Sequence, residues 1–148
     1  MKQLGPVSIA IFVFLVDICI KVFMLGLESS RSIFFGFVSV NLQASLNQNL
    51  VFSIPAPAPI VYLIVLAVLA AMIKFFIEAC RKRQKQAYPL ALILGAASGN
   101  LFDRVFHGGV VDYMEVSLGG FSVSSFNLAD VLILAGAIWW ISLMNKRG

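Results

Sequence analysis

Hydrophobic residues fall into four long stretches separated by shorter polar segments. The stretches cover about 7–27, 60–80, 88–106 and 126–144. Each comes close to the roughly 20 apolar residues that an α-helix needs to cross a bilayer core of about 30 Å. The pattern therefore predicts an all-α membrane protein, a single domain over 1–148 with four transmembrane helices.

The segment between the third and fourth stretches has a different period. Apolar and polar residues alternate on both sides of Gly119-Gly120, which is typical of two strands joined by a tight turn. We expect a β-hairpin over about 115–124, and hence small β-rich loops outside the membrane. Ser124 and Ser125 are candidate N-caps of the fourth helix, with Asp130 just beyond its first turn.

Composition supports a membrane protein, since 60% of the 148 residues are hydrophobic and only 12% are charged, against about 25% charged in an average soluble domain. Seven of the eleven basic residues lie in the loop after the second stretch or at the two chain ends: Arg81, Lys82, Arg83, Lys85, Lys2, Lys146 and Arg147. By the positive-inside rule this loop and both termini are cytoplasmic, and the loops over about 28–59 and 107–125 lie outside. No basic face alternates with exposed aromatic residues, so nucleic-acid binding is not expected.

Two charged residues interrupt the first stretch. Asp17 and Lys21 are four residues apart and share a helix face. Either they neutralise one another within the helix, or one of them also ties the helix to polar groups elsewhere. We favour the self-neutralising pair, because a matched pair lowers the cost of placing two charges in lipid.

The end of the third stretch combines small and polar residues. Gly95 to Gly99 allow a neighbouring helix to approach closely, which would turn Asn100 and Arg104 toward the protein interior with Asp103 beside them. The alternative is an arginine that extends to the membrane surface. The adjacent Asn and Asp favour an ordered polar network.

Two aspartates are expected at one membrane depth. Asp112 follows the third stretch, and Asp130 shares a helix face with Asn127 near the outer end of the fourth. Two neighbouring carboxylates can share a proton and activate water, which is aspartic protease chemistry. His107, the one histidine, has no partner at metal-ligand spacing, and no nucleophile motif is present.

Four motifs in order resemble the lipoprotein signal peptidases, also called signal peptidase II. They are Asp17-Ile-Cys-Ile-Lys21, Gly99-Asn100-Leu-Phe-Asp103-Arg104, Val110-Val111-Asp112-Tyr113 and Phe126-Asn127-Leu128-Ala129-Asp130. The resemblance covers nearly the whole chain. It implies an inner-membrane bacterial aspartic endopeptidase, active at the periplasmic face, that cuts diacylglyceryl-modified prolipoproteins just before the lipidated cysteine.

The same resemblance implies residue roles. Asp112 and Asp130 would be the catalytic dyad, and Asn100, Arg104 and Asn127 would orient substrate and dyad. Asp17, Lys21 and Asp103 would be structural or adjacent to substrate. No metal or organic cofactor is implied; the expected partners are lipidated prolipoproteins and membrane lipids, and the expected state is a monomer.

The first outer loop departs from the family pattern Asn-x-Gly-Ala-x-Phe. Here it reads Asn47-Gln48-Asn49-Leu50-Val51-Phe52. Asn47 and Phe52 match, and Asn49 stands where the family has glycine. Asparagine tolerates left-handed backbone, so Asn49 is expected to keep the turn.

Two other interpretations remain open from the sequence. A divergent or inactive paralogue would bind lipoproteins without cutting them. A small transporter component would use its intramembrane charges as a relay, and this predicts polar residues strung across the bilayer. The candidate residues instead gather at one end, apart from Asp17 and Lys21.

Overall fold

The computed structural model describes residues 4–27, 30–49 and 56–145. In chain order the elements are α1 (Leu4–Leu25), β1 (Arg31–Phe35), β2 (Val38–Asn47), α2 (Ala58–Arg81), α3 (Ala87–His107), β3 (Val110–Leu118), β4 (Phe121–Phe126) and α4 (Leu128–Asn145). The strands lie between α1 and α2 and between α3 and α4. They therefore all extend from the same ends of the helices, which we call the sheet end. The basic loop after α2 lies at the opposite end.

Three of the four helices are long and apolar enough to cross a membrane: α1, α2 and α4. This confirms a membrane protein. The helix α3 does not meet the same criterion among the described residues, although it is 21 residues long. It carries Asn100, Asp103 and Arg104 and packs against each of the other three helices, so its polar end is surrounded by protein rather than lipid.

Small residues on α3 let its neighbours approach, as the sequence predicted. A Cβ on Gly99 would overlap the carboxylate of Asp17 on α1, and one on Gly95 would overlap the backbone of α1 at Ala10. On the other side, a Cβ on Gly136 of α4 would lie 2.8 Å from Ile93 Cγ1. The close packing of both neighbours on α3 therefore depends on glycine.

The four strands form one antiparallel sheet in the order β1-β2-β3-β4. The expected hairpin around Gly119-Gly120 is confirmed as β3 and β4. The sheet is larger than that hairpin, because β2 pairs with β3 along most of its length and brings β1 with it. An all-α description with small β-rich loops is thus too narrow. Asp112, expected in a loop, lies on β3.

The start of α4 also differs from the expectation. Ladder pairing to β3 continues through Ser124, Ser125 and Phe126, so the two serines are strand residues and do not cap the helix. The N-terminal cap is Asn127, whose Oδ1 accepts from the backbone N–H of Asp130 at 3.1 Å. Asp130 therefore lies within the first turn of α4, closer to the helix N-terminus than predicted.

Some residues of the sequence-based interpretation fall outside the described part of the chain. These are Leu50, Val51 and Phe52 of the first loop motif, together with Lys2, Lys146 and Arg147.

Candidate active site

Asn127 joins the two aspartates at the sheet end. Its side-chain Nδ2 donates to Asp112 Oδ1 at 3.0 Å, and its backbone N–H donates to Asp130 Oδ2 at 3.1 Å. The backbone N–H of Asp130 in turn donates to Asn127 Oδ1, so each side chain accepts the backbone N–H of the other residue. This reciprocal pair is a capping box. The structure thus brings Asp112, Asp130 and Asn127 into one site.

Asp112 is a buried carboxyl held from two sides. Asn47 Nδ2 on β2 donates to its Oδ2 at 2.9 Å, opposite the bond from Asn127. Burial raises the pKa of the Asp112 carboxyl; the hydrogen bond from Asn47 opposes this shift, and the nearby charge of Asp130 adds to it. Desolvation prevails because the side chain is almost entirely removed from water.

Asp130 is half-buried and occupies the positive end of a helix. Its Oδ1 accepts from Asn100 Nδ2 at 2.9 Å, in addition to the capping bond at Oδ2. Unpaired N–H groups and the helix dipole at this position favour a negative charge. The two carboxylates therefore sit in different electrostatic settings.

Asn100 connects the dyad to a buried charge cluster. Its Oδ1 accepts from Lys21 Nζ at 2.7 Å and from Asn127 Nδ2 at 3.2 Å. With both acceptor directions used, the amide must present its N–H groups to Asp130. The orientation of this amide is therefore set by Lys21.

Lys21 does more than neutralise its own helix. Its Nζ lies 2.6 Å from Asp17 Oδ2 and 2.8 Å from Asp103 Oδ2, and all three side chains are buried. The favoured prediction of a self-contained Asp17–Lys21 pair is thus incomplete. The ammonium also ties α1 to α3, because two buried carboxylates and one amide meet at a single cation.

Asp103 fixes the start of β3. Its Oδ2 accepts the backbone N–H of Val111 at 3.1 Å, one residue before Asp112. The chain reaches this position through Gly108, which ends α3 with a φ of 75° that suits glycine. His107 Nδ1 lies 3.7 Å from Asp103 Oδ1, beside the cluster rather than within the dyad.

Arg104 lies in the same region but binds neither aspartate directly. Its Nη1 donates to the backbone oxygen of Asn100 and its Nη2 to that of Asn49, both at 3.2 Å. Its Nε is buried and has no hydrogen-bond partner among the described residues. The guanidinium therefore joins α3 to the loop after β2 with two of its five N–H donors.

Asn47 holds its loop by a mechanism that the sequence did not indicate. Its Oδ1 accepts the backbone N–H of Asn49 at 3.0 Å, an Asx turn. Arg83 is the one non-glycine residue with positive φ in the described part of the chain, so Asn49 does not adopt the left-handed backbone that we expected.

The polar opening beside Asp112 has a volume of about 290 Å³ and is lined by Ser45, Leu46, Asn47, Gln48, Asn49 and Ser125.

Three contributors were missed by sequence reasoning. Tyr62 on α2 donates from its hydroxyl to the backbone oxygen of Arg104. Tyr113 accepts the backbone N–H of Leu128 at 3.0 Å, and Ser45 Oγ lies 3.4 Å from the backbone oxygen of Asp112. A tyrosine within an apolar span needs a partner for its hydroxyl, and that was the available signal for Tyr62.

Comparison with known proteins identifies the family. The family model described as Signal peptidase (SPase) II matches residues 9–145. The chain belongs to the signal peptidase II family. A lipoprotein signal peptidase of Shigella boydii serotype 4 (strain Sb227) is 43% identical over 72 residues, 49% of this chain and 43% of that protein. One of Xylella fastidiosa (strain M12) is 41% identical over 71 residues, 47% of this chain and 42% of that protein.

These alignments span less than half the length of those relatives. Solved structures extend the likeness over the whole fold. A bacterial membrane enzyme structure obtained by the in meso method at 2.3 Å superimposes with a TM-score of 0.79 at 25% identity, covering 97% of this chain and 89% of that one. A second, at 1.9 Å, gives a TM-score of 0.78 at 25% identity, with 99% and 96% covered. The likeness to these membrane enzymes therefore includes both the helices and the sheet.

Proposed function

We propose that this member of the signal peptidase II family is a membrane aspartic endopeptidase. Its substrates would be diacylglyceryl-modified prolipoproteins, from which it removes the signal peptide by cutting before the lipidated cysteine. The observation that carries the proposal is the pair Asp112 and Asp130, bridged by Asn127 at the sheet end. The family membership and the name shared by the relatives support the same activity.

The reaction needs one ionised and one protonated carboxyl. We assign the proton to Asp112, because burial raises its pKa, and the negative charge to Asp130 at the helix N-terminus. The rate should fall with increasing pH once Asp112 loses this proton, since two charged carboxylates provide no acid.

In the first step Asp130 takes a proton from a water molecule, whose oxygen adds to the scissile carbonyl carbon. Asp112 gives its proton to the carbonyl oxygen as it becomes a hydroxyl. In the second step the carbon–nitrogen bond breaks, one hydroxyl proton returns to a carboxylate, and the leaving nitrogen takes a proton from the other carboxyl. The products are a free amine and a carboxylic acid, with the dyad restored.

The surrounding residues would position the reacting groups. Asn47, Asn100 and Asn127 donate amide N–H groups to the two carboxyls. Arg104 would direct an unused N–H of its guanidinium to the substrate backbone. Asp17, Lys21 and Asp103 would hold the orientation of Asn100. No step requires a metal or an organic cofactor.

The proposed setting is the bacterial cytoplasmic membrane. All four helices would cross the bilayer, with α3 enclosed by the other three, and the sheet end would face the periplasm. The basic loop and both termini would then be cytoplasmic. A monomer suffices, because every proposed site residue belongs to one chain.

Replacement of either aspartate tests the activity. Asp112→Asn and Asp130→Asn each remove a group that must exchange a proton, so we expect cleavage to fall by about 10²–10⁴-fold. The measurement is conversion of a diacylglyceryl-modified prolipoprotein to its shorter form on a gel, using purified protein in liposomes.

Glu115→Gln is the matched control. Glu115 lies on the same strand, three residues beyond Asp112, and its carboxylate accepts from Asn41 at 3.3 Å. This variant should cleave at the normal rate. Normal cleavage by either dyad variant would refute the assignment, and a wild-type protein that binds the precursor without cutting it would indicate an inactive paralogue.

A further inference from the structure

The two faces of the sheet differ in chemistry. Residues directly opposite one another on paired strands share a face, and one set of pairs is apolar: Phe35 with Val38, Val38 with Leu118, Val40 with Val116, and Leu118 with Phe121. We call this the apolar face. The other set joins Ser32 with Asn41, Ser39 with Ser117, Asn41 with Glu115, and Ser117 with Ser122, and we call it the polar face. Phe34, opposite Ser39, also lies on this face.

The apolar face is exposed toward its outer part. Phe121 is 80% exposed and Phe35 is 65% exposed. The two hairpin turns lie side by side there, joined by the bond from Gly119 N–H to the backbone oxygen of Phe37 at 2.8 Å. Phe37 is itself 77% exposed. Residues 32–40 and 116–124 contain no charged side chain.

The position of the sheet limits what can cover this face. The strand β1 begins six residues after α1 ends, β3 begins three residues after α3 ends, and α4 starts two residues after β4 ends. The part of the sheet that is joined to the helices by these short connections therefore lies at the ends of the membrane helices. The last turns of α1 expose Val22, Phe23 and Leu25, so an apolar surface leads from the lipid-facing helix toward the sheet.

We propose that the apolar face rests on, and partly inserts into, the lipid leaflet at the sheet end, with Phe35 and Phe121 reaching below the headgroups. Lipid is the occupant that the observations favour because the outer part of this face is uncharged and the face continues from a membrane-facing helix. Arg31 lies at the inner edge of the face, opposite Leu42. The polar face, where serine, asparagine and glutamate side chains predominate and Phe34 is exposed beside them, is left to water. An antiparallel sheet commonly divides its two faces in this way.

This placement has a consequence for the site. Asp112 alternates with Met114, Val116 and Leu118 along β3, so it lies on the same side of the strand as the apolar face. Leu118 is six residues farther along, about 20 Å at the rise of a strand. A sheet seated on lipid would thus fix the height of Asp112 relative to the bilayer. A second copy covering the same face would obstruct the approach to Asp112.

The test uses the full chain with Cys19→Ser and Cys80→Ser, since both native cysteines are free. Spin labels are attached at Phe35→Cys and Phe121→Cys, and at the matched control positions Ser32→Cys and Ser122→Cys on the polar face. Each protein is reconstituted in vesicles of phosphatidylethanolamine and phosphatidylglycerol. Collision rates with oxygen, which concentrates in lipid, and with a water-soluble nickel chelate are then measured.

We expect labels 35 and 121 to collide mainly with oxygen and labels 32 and 122 mainly with nickel. Nickel access at all four positions would overturn the proposal, because the apolar face would then be in water. Shielding of 35 and 121 from both reagents, with spin–spin broadening that disappears on dilution with unlabelled protein, would indicate a second copy and also overturn it. Circular dichroism and a single size-exclusion peak establish that each labelled protein is folded. The result does not depend on peptidase activity, so it is separable from the cleavage assay.

Discussion

At the scale of single residues, Asn127 has two roles that depend on different atoms. Its Oδ1 and backbone N–H form the capping box that starts α4, while its Nδ2 reaches Asp112. The helix start and the spacing of the dyad are therefore coupled through one side chain. Any displacement of the first turn of α4 would move Asp130 and the donor to Asp112 together.

Two substitutions of Asn127 separate these roles. Asn127→Ser keeps a good N-cap acceptor but loses the amide donor to Asp112, whereas Asn127→Ala loses both. Asp112 becomes a carboxylate when it gives up its proton, and a hydrogen bond to a charged group contributes roughly 1.5–3 kcal/mol. We therefore expect cleavage to fall by about 10–100-fold in both variants. The alanine variant should be about 1 kcal/mol less stable than the serine variant, because it also loses the cap.

Cleavage rates in liposomes and denaturant titrations in mixed micelles measure the two effects. Equal stability of the serine and alanine variants would contradict the capping role. Wild-type cleavage by the serine variant would contradict a role for the Nδ2 bond. Since the serine variant retains the cap, its lower rate cannot be attributed to unfolding of α4.

At the scale of elements, the buried ammonium of Lys21 determines how α1 and α3 meet. It carries the single positive charge between Asp17 and Asp103, in a region where Gly99 brings the helices into close contact. Removal of one partner from a buried ion cluster is costly because the remaining charges have no water to stabilise them.

Replacement of Lys21 with methionine should therefore destabilise the protein strongly. We expect Lys21→Met to lower the free energy of unfolding by about 3–5 kcal/mol, measured by denaturant titration in mixed micelles. Lys74→Met is the matched control on α2, because Lys74 is exposed and should tolerate the change. Equal effects of the two substitutions would contradict the structural role of the cluster.

The elements differ in how far the sequence predicts them. The four helices could be located within a few residues because apolar stretches of this length have few alternatives. The sequence did not predict the strands β1 and β2, since their place in the sheet depends on long-range pairing with β3. The same pairing explains the errors at Asp112 and Ser124, because β3 and β4 extend beyond the alternating segment that the sequence makes visible.

The candidate site shows a similar division. Asp112, Asp130, Asn100 and Asn127 could be selected from the sequence, and the structure brings them together. The reach of Lys21 into this network could not be predicted, because helix periodicity relates Lys21 to Asp17 but not to residues on α3. Likewise, no local pattern connects Tyr62 with Arg104.

At the scale of the whole molecule, the exposed basic loop and the candidate dyad lie at opposite ends of the helices. The exposed basic residues of the loop after α2 are at one end of the helices, and the candidate dyad and sheet are at the other. The positive-inside rule predicts from this asymmetry that the basic loop is cytoplasmic. The dyad would then work on the side where exported precursors present their lipidated cysteine.

Cysteine labelling tests this orientation in a chain lacking Cys19 and Cys80. Ser122→Cys marks the sheet and Lys85→Cys marks the basic loop, and both positions are exposed. We expect a membrane-impermeant maleimide added to intact spheroplasts to label position 122 at once and position 85 only after lysis. The reverse order would place the dyad in the cytoplasm and contradict the proposed setting. Labelling of both positions before lysis would place the basic loop and the sheet on one side of the membrane. That result would contradict the proposal that α3, which lies between them, crosses the bilayer.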